Sequence, residues 1–358
     1  MRFTSLQSQD FRNIFSGSVH ADSENIVLTG PNGQGKTNIL EEIYILCYGG
    51  SFRTAALKEC VNYGKEGFFI TGSFREENGE EGKITVSFFN GNRKIILDGK
   101  EVKDRKELIY QFPCIVFCHE DIDYIKGEPE YRRKFFDQMM SLYSPLFFDN
   151  MRSYRKILAQ RNAAIKNNAL DVIPLYNERL AYYGQEIMRE RADAVYEFNN
   201  IFPDLFKEIS GSNFDLKVVY QPSWKEQGSV EEIVEYLENN TERDIRLMTT
   251  SSGIHRDRFN IESQYGPFSQ IGSTGQLRLC SLIFRIAEAR YFTLKTGKKP
   301  IILLDDVLLE LDPEKRGRLL KNLHSYSQAW YTFLLDENYN ERKDDSIHFF
   351  VEEGALHE

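Results

Sequence analysis

Gly30-Pro31-Asn32-Gly33-Gln34-Gly35-Lys36-Thr37 has the pattern GxxxxGK[ST] and is the most specific segment of this 358-residue chain. The apolar run Ile26-Val27-Leu28 precedes it, and a helix-like segment follows it. Glycines at these positions let backbone N–H groups converge on phosphate oxygens, and the helix start adds its positive dipole end. We therefore predict a phosphate-binding loop, with Lys36 at the β- and γ-phosphates and the Thr37 hydroxyl on Mg²⁺.

A second motif supplies carboxylates for the same chemistry. The apolar run Ile301-Ile302-Leu303-Leu304 predicts a buried strand, and it ends in Asp305-Asp306. Asp305 is suited to hold magnesium. Asp306 is then the catalytic candidate, because a second carboxylate can polarise the attacking water.

The third motif, Ser273-Thr274-Gly275-Gln276, lies just before a long predicted helix. A helix start of this kind attracts anions. Because the loop at Lys36 already serves the chain's own nucleotide, a second such start suggests contact with the nucleotide of another subunit, in a head-to-tail dimer. The alternative is an ordinary helix with Ser or Thr as its N-cap.

The three motifs together resemble the ABC-type ATPases of the SMC and double-strand-break-repair class. More narrowly, nearly the whole chain resembles the bacterial RecF family. The segments that carry this resemblance are Phe11-Arg12-Asn13, Gly30 to Thr37, Gly50-Ser51-Phe52-Arg53-Thr54, Glu120-Asp121, Lys126-Gly127-Glu128-Pro129, Arg132-Arg133, Gln160-Arg161-Asn162, Gly253-Ile254-His255-Arg256-Asp257, Ser273 to Arg278, Leu304-Asp305-Asp306-Val307 and Glu310-Leu311-Asp312.

The resemblance implies an ATP-dependent DNA-binding homodimer that acts with RecR and RecO at gapped DNA and helps RecA replace single-strand-binding protein. It also implies that Arg12 and Asn13 contact nucleotide. Ser273 and Gln276 would contact the γ-phosphate across the dimer, and Glu310, Leu311 and Asp312 would form the D-loop.

Three departures from the usual ABC pattern affect the predicted chemistry. Asp306 stands where most ABC proteins carry glutamate, and the shorter acid predicts slow hydrolysis. The segment Leu309-Glu310-Leu311-Asp312 has leucine where serine is usual. The strand end Phe333-Leu334-Leu335-Asp336 has neither the ABC histidine nor RecF-like threonines, so no residue after the second motif is assigned as a γ-phosphate sensor, and no Q-loop glutamine is assigned.

The order of elements predicts an α/β fold. It consists of an ABC-type P-loop ATPase head with an appended antiparallel sheet and an inserted, mainly helical second domain. We assign 1–115 and 250–358 to a discontinuous ATPase domain and 116–249 to the insert. Asn90-Gly91 predicts a hairpin turn. Leu180, Ile187, Ala194 and Ile201 recur every seven residues over too short a span for a long coiled coil.

Composition narrows the functional classes. The chain has 41% hydrophobic residues, 28% charged residues and five scattered cysteines without a CxxC pair. No apolar run approaches the ~20 residues of a membrane span. We therefore expect a cytoplasmic protein with no membrane partner, and the resemblance implies that it associates with the nucleoid.

The net charge of −9 argues against nucleic-acid binding unless the basic residues cluster. Between Lys126 and Lys166, Lys and Arg outnumber Asp and Glu by nine to four. Arg132, Arg133, Arg155 and Lys156 are our candidates for DNA contacts, and a solvated helical face is the alternative. His255 has a structural or dimer-interface role in our interpretation, with metal binding or catalysis as the alternative.

We therefore predict a weak DNA-dependent ATPase of recombinational gap repair that uses ATP and Mg²⁺ and recognises double-stranded and gapped junction DNA. Two alternatives stay open at this stage. One is the ATPase subunit of an ABC transporter, which would lack the basic helical insert. The other is a weakly hydrolysing SMC-like scaffold.

Overall fold

The computed structural model describes residues 1–309, 311–334 and 346–357, apart from the side chain of Phe15. The chain divides into two compact units. The first contains Met1–Glu120 and Phe292–Glu358, and the second contains Asp121–Tyr291. This division places residues 250–291 in the second unit, whereas the sequence prediction assigned them to the ATPase domain. The limits of the functional domains stay a prediction.

A parallel sheet forms the centre of the first unit. Its strands follow the order β15-β14-β3-β13-β12-β8, and every neighbouring pair is parallel except β14 and β15 at one edge. The bounds are β3 (Asn25–Thr29), β8 (Cys114–Phe117), β12 (Ile301–Leu304), β13 (Gln328–Phe333), β14 (Ser346–Glu352) and β15 (Ala355–His357). All residues of β8, β12 and β13 are buried, as expected for a parallel sheet covered on both faces.

The order of these strands brings distant parts of the sequence together. Strand β13 lies between β3 and β12, so the carboxyl ends of all three strands adjoin at one edge of the sheet. The glycine-rich loop follows β3 and leads into helix α1 (Lys36–Tyr48). Ligands of open α/β sheets bind at such carboxyl ends, and the first two predicted motifs converge at this edge.

An antiparallel sheet in the order β2-β1-β4-β5-β6-β7 completes the first unit. Its bounds are β1 (Arg2–Phe11), β2 (Ile14–His20), β4 (Gly67–Arg75), β5 (Glu81–Phe89), β6 (Asn92–Leu97) and β7 (Lys100–Glu101). Asn90-Gly91 connects β5 to β6, with φ of 49° and 80°. Positive φ at both central residues is the requirement of the tight hairpin turn that Asn-Gly favours, so the predicted hairpin is confirmed.

One apolar core unites the two sheets of the first unit with α1. Ile39 and Leu46 of α1, Phe68 and Ile84 of the antiparallel sheet, and Trp330 of the parallel sheet belong to it. The remaining helices of this unit are α2 (Lys106–Gln111), α12 (Pro313–Asn322) and a 3-10 turn at Leu57–Cys60. A further 3-10 turn, His119–Ile122, crosses the boundary between the units.

The second unit is mainly helical and carries a small antiparallel sheet in the order β11-β10-β9. Its strands are β9 (Lys217–Gln221), β10 (Arg258–Ser263) and β11 (Gly266–Pro267). The helices are α3 (Asp123–Lys126), α4 (Pro129–Tyr143), α5 (Pro145–Lys166), α6 (Ile173–Phe198), α7 (Phe202–Ser210), α8 (Val230–Asn239), α9 (Thr241–Leu247), α10 (Phe268–Ile271) and α11 (Thr274–Thr296), with 3-10 turns at Leu170–Val172 and Ile254–Arg256. The last turn of α11 belongs to the first unit.

The core of the second unit combines aromatic packing with buried ion pairs. Phe136, Phe198 and Phe284 contact one another edge to face. Leu180, Ile187 and Ala194 of the seven-residue stripe lie on α6 and are buried, so they are core packing, whereas Ile201 lies beyond the end of α6 and is half-buried. Buried guanidinium groups need paired carboxylates, and Arg161 accordingly pairs with Asp244 at 2.7 Å.

The predicted fold class is confirmed. The described residues form an α/β head with an appended antiparallel sheet and an inserted helical unit, and no long coiled coil occurs among them. Within the same residues, no helix combines the length and apolar character needed to cross a membrane.

Candidate functional site

The glycine-rich loop has a backbone that only glycine tolerates at two positions. Gly30 has φ 154°, and a Cβ there would lie 2.4 Å from the carbonyl oxygen of Val351. Gly35 has φ 114°, and its Cβ would lie 2.8 Å from Asn13 Oδ1. Glycine adopts such conformations without steric cost. The loop therefore packs against β14 on one side and the β1–β2 turn on the other.

A cavity of about 270 Å³ opens beside this loop. It brings together the loop, the start of α1, a residue of the predicted second motif and one residue of the segment that follows α1. Its lining residues are Asn32, Gly33, Gly35, Lys36, Thr37, Asn38, Arg53 and Asp306. Polar and cationic groups dominate the lining, which suits a phosphate chain.

Lys36 is buried in the loop that it serves. Its ammonium group donates to the carbonyl oxygens of Gly30 at 2.8 Å and Pro31 at 3.1 Å. These bonds compensate the burial of the charge. They also hold the ammonium at the mouth of the loop, within the lining of the cavity.

Thr37, which lines the cavity, contacts Asp305, although 268 positions separate the two residues in the sequence. The Thr37 hydroxyl donates to Asp305 Oδ1 at 2.7 Å. Burial, together with the negative charge of the neighbouring Asp306, raises the pKa of Asp305 to about 6. Hydroxyl and carboxylate oxygens are the ligands that Mg²⁺ prefers, and a cation would relieve the electrostatic cost of this buried carboxylate. The two residues thus fit the predicted metal ligands.

Thr332, a residue that sequence reasoning missed, contacts both acidic residues. Its hydroxyl lies 2.8 Å from Asp306 Oδ1 and 3.4 Å from Asp305 Oδ1, and it accepts a hydrogen bond from the Asp306 backbone N–H at 2.7 Å. The strand end at residues 333–336 predicts no sensor, whereas Thr332 lies one residue before it, within the buried run of β13. Leu335 and Asp336 lie outside the described residues.

Glu41 was also missed. This fully buried carboxylate of α1 accepts from Arg12 Nε at 2.9 Å, from a second Arg12 nitrogen at 2.8 Å and from Arg53 at 3.1 Å. The Ser51 hydroxyl also donates to it. Burial raises the pKa of Glu41, but the bonds from Arg12 and Ser51 outweigh this effect and leave it below its usual value. The sequence contains one signal for this residue, because an acidic side chain falls on the buried face of a helix.

The Arg12-Asn13 turn lies against the glycine-rich loop. Asn13 donates to the carbonyl oxygen of Gln34 at 3.1 Å and accepts from Asn38 at 2.8 Å, while Arg53 donates to Asn38 at 2.7 Å. Arg12 additionally donates to the carbonyl oxygen of Glu59. The turn, the loop and Arg53 therefore form one hydrogen-bonded network. The contacts of Arg12 and Asn13 with nucleotide stay a prediction.

Ser273 and Gln276 cap the start of α11 reciprocally. The Ser273 hydroxyl accepts from the Gln276 N–H at 3.3 Å, and the Gln276 side chain accepts from the Ser273 N–H at 2.8 Å. This is a capping box, and Thr274 and Gly275 lie exposed between its two ends. In a single chain these residues therefore act as an ordinary helix N-cap, which is the alternative given in the sequence analysis. Their contact with the nucleotide of another chain stays a prediction.

The predicted D-loop precedes α12. Leu311 is buried, and Asp312 caps α12 by accepting from the Lys315 N–H at 2.9 Å. Glu310 lies outside the described residues. The cross-dimer role of this segment stays a prediction.

The four predicted DNA contacts differ in their surroundings. Arg132 donates to the carbonyl oxygens of Ile125 and Gly127, and Arg133 donates to that of Asp257. Burial lowers the pKa of both arginines. Arg155 and Lys156 are exposed on α5. Arg132 and Arg133 are therefore partly engaged in holding the fold of the second unit, and Arg155 makes a long contact of 3.7 Å with Asp137.

His255 has two hydrogen-bond partners in the second unit. Its Nε2 lies 3.1 Å from the carbonyl oxygen of Thr250, which can only accept, so Nδ1 accepts from the Tyr154 hydroxyl at 3.0 Å. Burial lowers the pKa of His255 to about 4. A neutral imidazole with both nitrogens engaged favours the structural role over the catalytic one.

The parallel sheet, the glycine-rich loop and the paired aspartates define an ABC-type P-loop ATPase head. Residues 2–355 match the family model described as the RecF/RecN/SMC N terminal domain. Within that group the chain belongs to the RecF family of DNA replication and repair proteins. It is 36% identical to the DNA replication and repair protein RecF of Treponema pallidum (strain Nichols) over 354 residues, which are 98% of this chain and 99% of the relative.

Two solved structures show the same fold. A structure titled as the recombination mediator protein RecF with ATP in the RecFOR pathway superposes with a TM-score of 0.90 and 29% identity, over 99% of this chain and 96% of the other. The head of Smc bound to the C-winged helix domain of ScpA superposes with a TM-score of 0.59 and 14% identity, over 99% of this chain and 97% of the other, and this likeness concerns the fold alone. Membership of the RecF family excludes the transporter alternative.

Proposed function

We propose that this chain is an ATP-dependent DNA-binding protein of recombinational gap repair. ATP drives its homodimerisation, the dimer recognises gapped and single-strand–double-strand junction DNA, and slow hydrolysis resets it. The observation that carries the proposal is the hydrogen bond between Thr37, at the phosphate cavity, and Asp305. It unites two motifs that a nucleoside-triphosphatase needs and that the sequence keeps far apart.

The residues around the cavity suit slow hydrolysis of ATP. Lys36 exchanges its bonds to the Gly30 and Pro31 carbonyl oxygens for oxygens of the β- and γ-phosphates. Thr37 and Asp305 would hold Mg²⁺, which neutralises charge on the phosphates when bound. Asp306 orients the attacking water, and its short side chain reaches less far than glutamate. A weak, DNA-dependent ATPase is the expected activity.

The remaining motifs suit the assembly. Ser273, Thr274, Gly275 and Gln276 of each chain meet the γ-phosphate bound by the other, and the capping box keeps this helix start formed before dimerisation. DNA contacts Arg132, Arg133, Arg155 and Lys156. Through the family relationship, we expect the chain to act with RecR and RecO and to assist the loading of RecA. It would do so in the cytoplasm, at the nucleoid.

Sedimentation velocity with ATP, with ADP and without nucleotide tests the proposal. We expect a dimer only with ATP, and a monomer under all conditions for Lys36→Ala, because the phosphates lose their cation. Lys58→Ala, which removes an exposed lysine, is the matched control and should dimerise normally. Dimerisation of Lys36→Ala would remove Lys36 from the phosphate site. Single-turnover measurements without detectable hydrolysis would favour the scaffold alternative.

A further inference from the structure

The second unit contains a cleft lined by none of the predicted site residues. Its volume is about 520 Å³, and residues 220–223, Lys225, Arg256 and Arg258 line it. We call it the basic cleft. Among the described residues that line it, three are cationic and none is acidic. In a chain with a net charge of −9, such a concentration of one sign marks a binding surface for anions.

The three cationic side chains of the basic cleft are exposed and form no close ion pair among the described residues. Arg256 and Arg258 are exposed, and within the described ranges neither guanidinium group has a hydrogen bond or an ion pair. Lys225 has only a long contact, 3.8 Å, with the equally exposed Glu226. Exposed pairs of this kind contribute little. By contrast, Arg132 and Arg133 donate to backbone carbonyl oxygens.

A buried carboxylate holds the cleft in shape. Asp257 lies between Arg256 and Arg258 in the sequence and is fully buried. It accepts from the backbone N–H of Ser223 at 2.7 Å and from the hydroxyl of Tyr220, so one residue anchors both walls of the cleft. Arg191 pairs with Asp257 at 2.7 Å. Arg191, which also pairs with Asp137 at 2.8 Å, contacts this carboxylate from the interior, while Arg256 and Arg258 on either side of it stay exposed.

We propose that the basic cleft binds consecutive backbone phosphates of a DNA strand through Lys225, Arg256 and Arg258. This inference rests on the DNA-binding function proposed above and assigns it a specific surface. Guanidinium groups match phosphate oxygens in a bidentate geometry. A nucleic-acid strand presents closely spaced phosphates along its length, and the volume of the cleft accommodates more than one. No base-reading group is required, so the contact is independent of sequence.

The test compares Arg256→Glu/Arg258→Glu with a matched control, Arg179→Glu/Arg243→Glu. The control makes the same charge change at exposed positions of the second unit outside the cleft. Fluorescence anisotropy with a labelled gapped duplex, in the presence of ATP, gives affinity over a series of salt concentrations. Because each neutralised phosphate contributes ~0.9 to the log–log salt slope, the cleft variant should bind at least about tenfold more weakly and lose about 2 from that slope. The control should keep the wild-type slope.

Lys225→Glu provides a second variant that does not depend on the buried network, since this side chain is 71% exposed. It should lose about 1 from the slope. Normal ATP-driven dimerisation and thermal melting of all variants serve as the folding check. Cleft variants that bind DNA like the control, while the wild type binds tightly, overturn this inference alone.

Two further outcomes are informative. A wild-type protein that binds ATP and dimerises but does not bind DNA overturns the proposed function as well. A polyglutamate peptide that binds the wild type but not the cleft variants, with unchanged DNA affinity in those variants, would assign the cleft to an acidic protein surface and overturn the DNA assignment.

Discussion

Each acidic residue beside the phosphate cavity is held by a specific neighbour. Asp305 accepts from Thr37, Asp306 from Thr332, and Glu41 from Arg12 and Arg53. A carboxylate that must bind a metal or orient water works only in one position, and partners of this kind hold it there. Thr332 lies outside the glycine-rich loop and is not a predicted metal ligand, so its hydroxyl can be removed selectively.

Thr332→Val should lower kcat for ATP hydrolysis about tenfold, a usual cost of losing such a partner. The KM for ATP should change much less, because Lys36 and the loop still bind the phosphates. Steady-state hydrolysis measures both quantities. Thr332→Ser keeps the hydroxyl and is the control, with activity near that of the wild type. An unchanged kcat in the valine variant would show that Asp306 needs no such support.

Helix α1 links the cavity to the core of the first unit. Its first turn carries Lys36 and Thr37, and its middle carries the adjacent acids Glu41 and Glu42. Both acids are buried. Glu41 pairs with guanidinium groups, whereas Oε1 of Glu42 has no hydrogen-bond partner among the described residues. Burial raises the pKa of Glu42 to about 8, and the negative charge of Glu41 contributes to the rise.

The raised pKa of Glu42 predicts a pH dependence of stability. In the unfolded chain this carboxyl group titrates near its ordinary pKa of about 4.3. Its contribution is therefore complete below that value and is lost as the pH rises through about 8. Glu42→Gln, which stays neutral, should gain stability relative to the wild type by at most about 1.4 kcal/mol per pH unit in this window.

Urea unfolding at pH 5.5, 7.0 and 8.5 measures this difference. Glu107→Gln, on the exposed face of α2, makes the same chemical change and is the matched control. A Glu42→Gln variant whose stability relative to the wild type does not rise with pH would mean that Glu42 is ionised in the folded protein.

At the scale of the whole molecule, the proposed function needs two chains. The phosphate cavity is built entirely from residues of the first unit, whereas Ser273 and Gln276 belong to the second unit. The capping box fixes the helix start that contains them. Head-to-tail association would bring this helix start of one chain to the cavity of its partner.

Ser273→Arg should abolish ATP-driven dimerisation and leave ATP binding by the dilute monomer intact. A long cation at this helix start would crowd the position that receives the partner's γ-phosphate. Sedimentation velocity and binding of a fluorescent ATP analogue measure the two effects. Gln270→Arg, an exposed position outside the motif, adds the same charge and should dimerise. Weaker ATP binding by the Ser273→Arg monomer would instead place Ser273 in the chain's own site.

Local sequence was sufficient for the features that depend on short-range chemistry. The glycine-rich loop between β3 and α1 follows from backbone conformations that only glycine adopts freely. The Asn90-Gly91 hairpin follows from the positive φ that this pair tolerates. The fold class could likewise be predicted, because the order of three motifs along the chain needs no knowledge of distances. These features were all readable without the structure.

Contacts between distant residues required the fold. Strand β13 lies between β3 and β12, and this order alone brings the Thr332 hydroxyl to Asp306 and the Thr37 hydroxyl to Asp305. No local pattern encodes the order of parallel strands, because it is set by how the complete sheet buries its apolar side chains. For the same reason, a run of basic residues in the sequence does not show which side chains are engaged by packing and which stay exposed. Packing engages Arg132 with backbone carbonyl oxygens and leaves Arg256 exposed in the basic cleft.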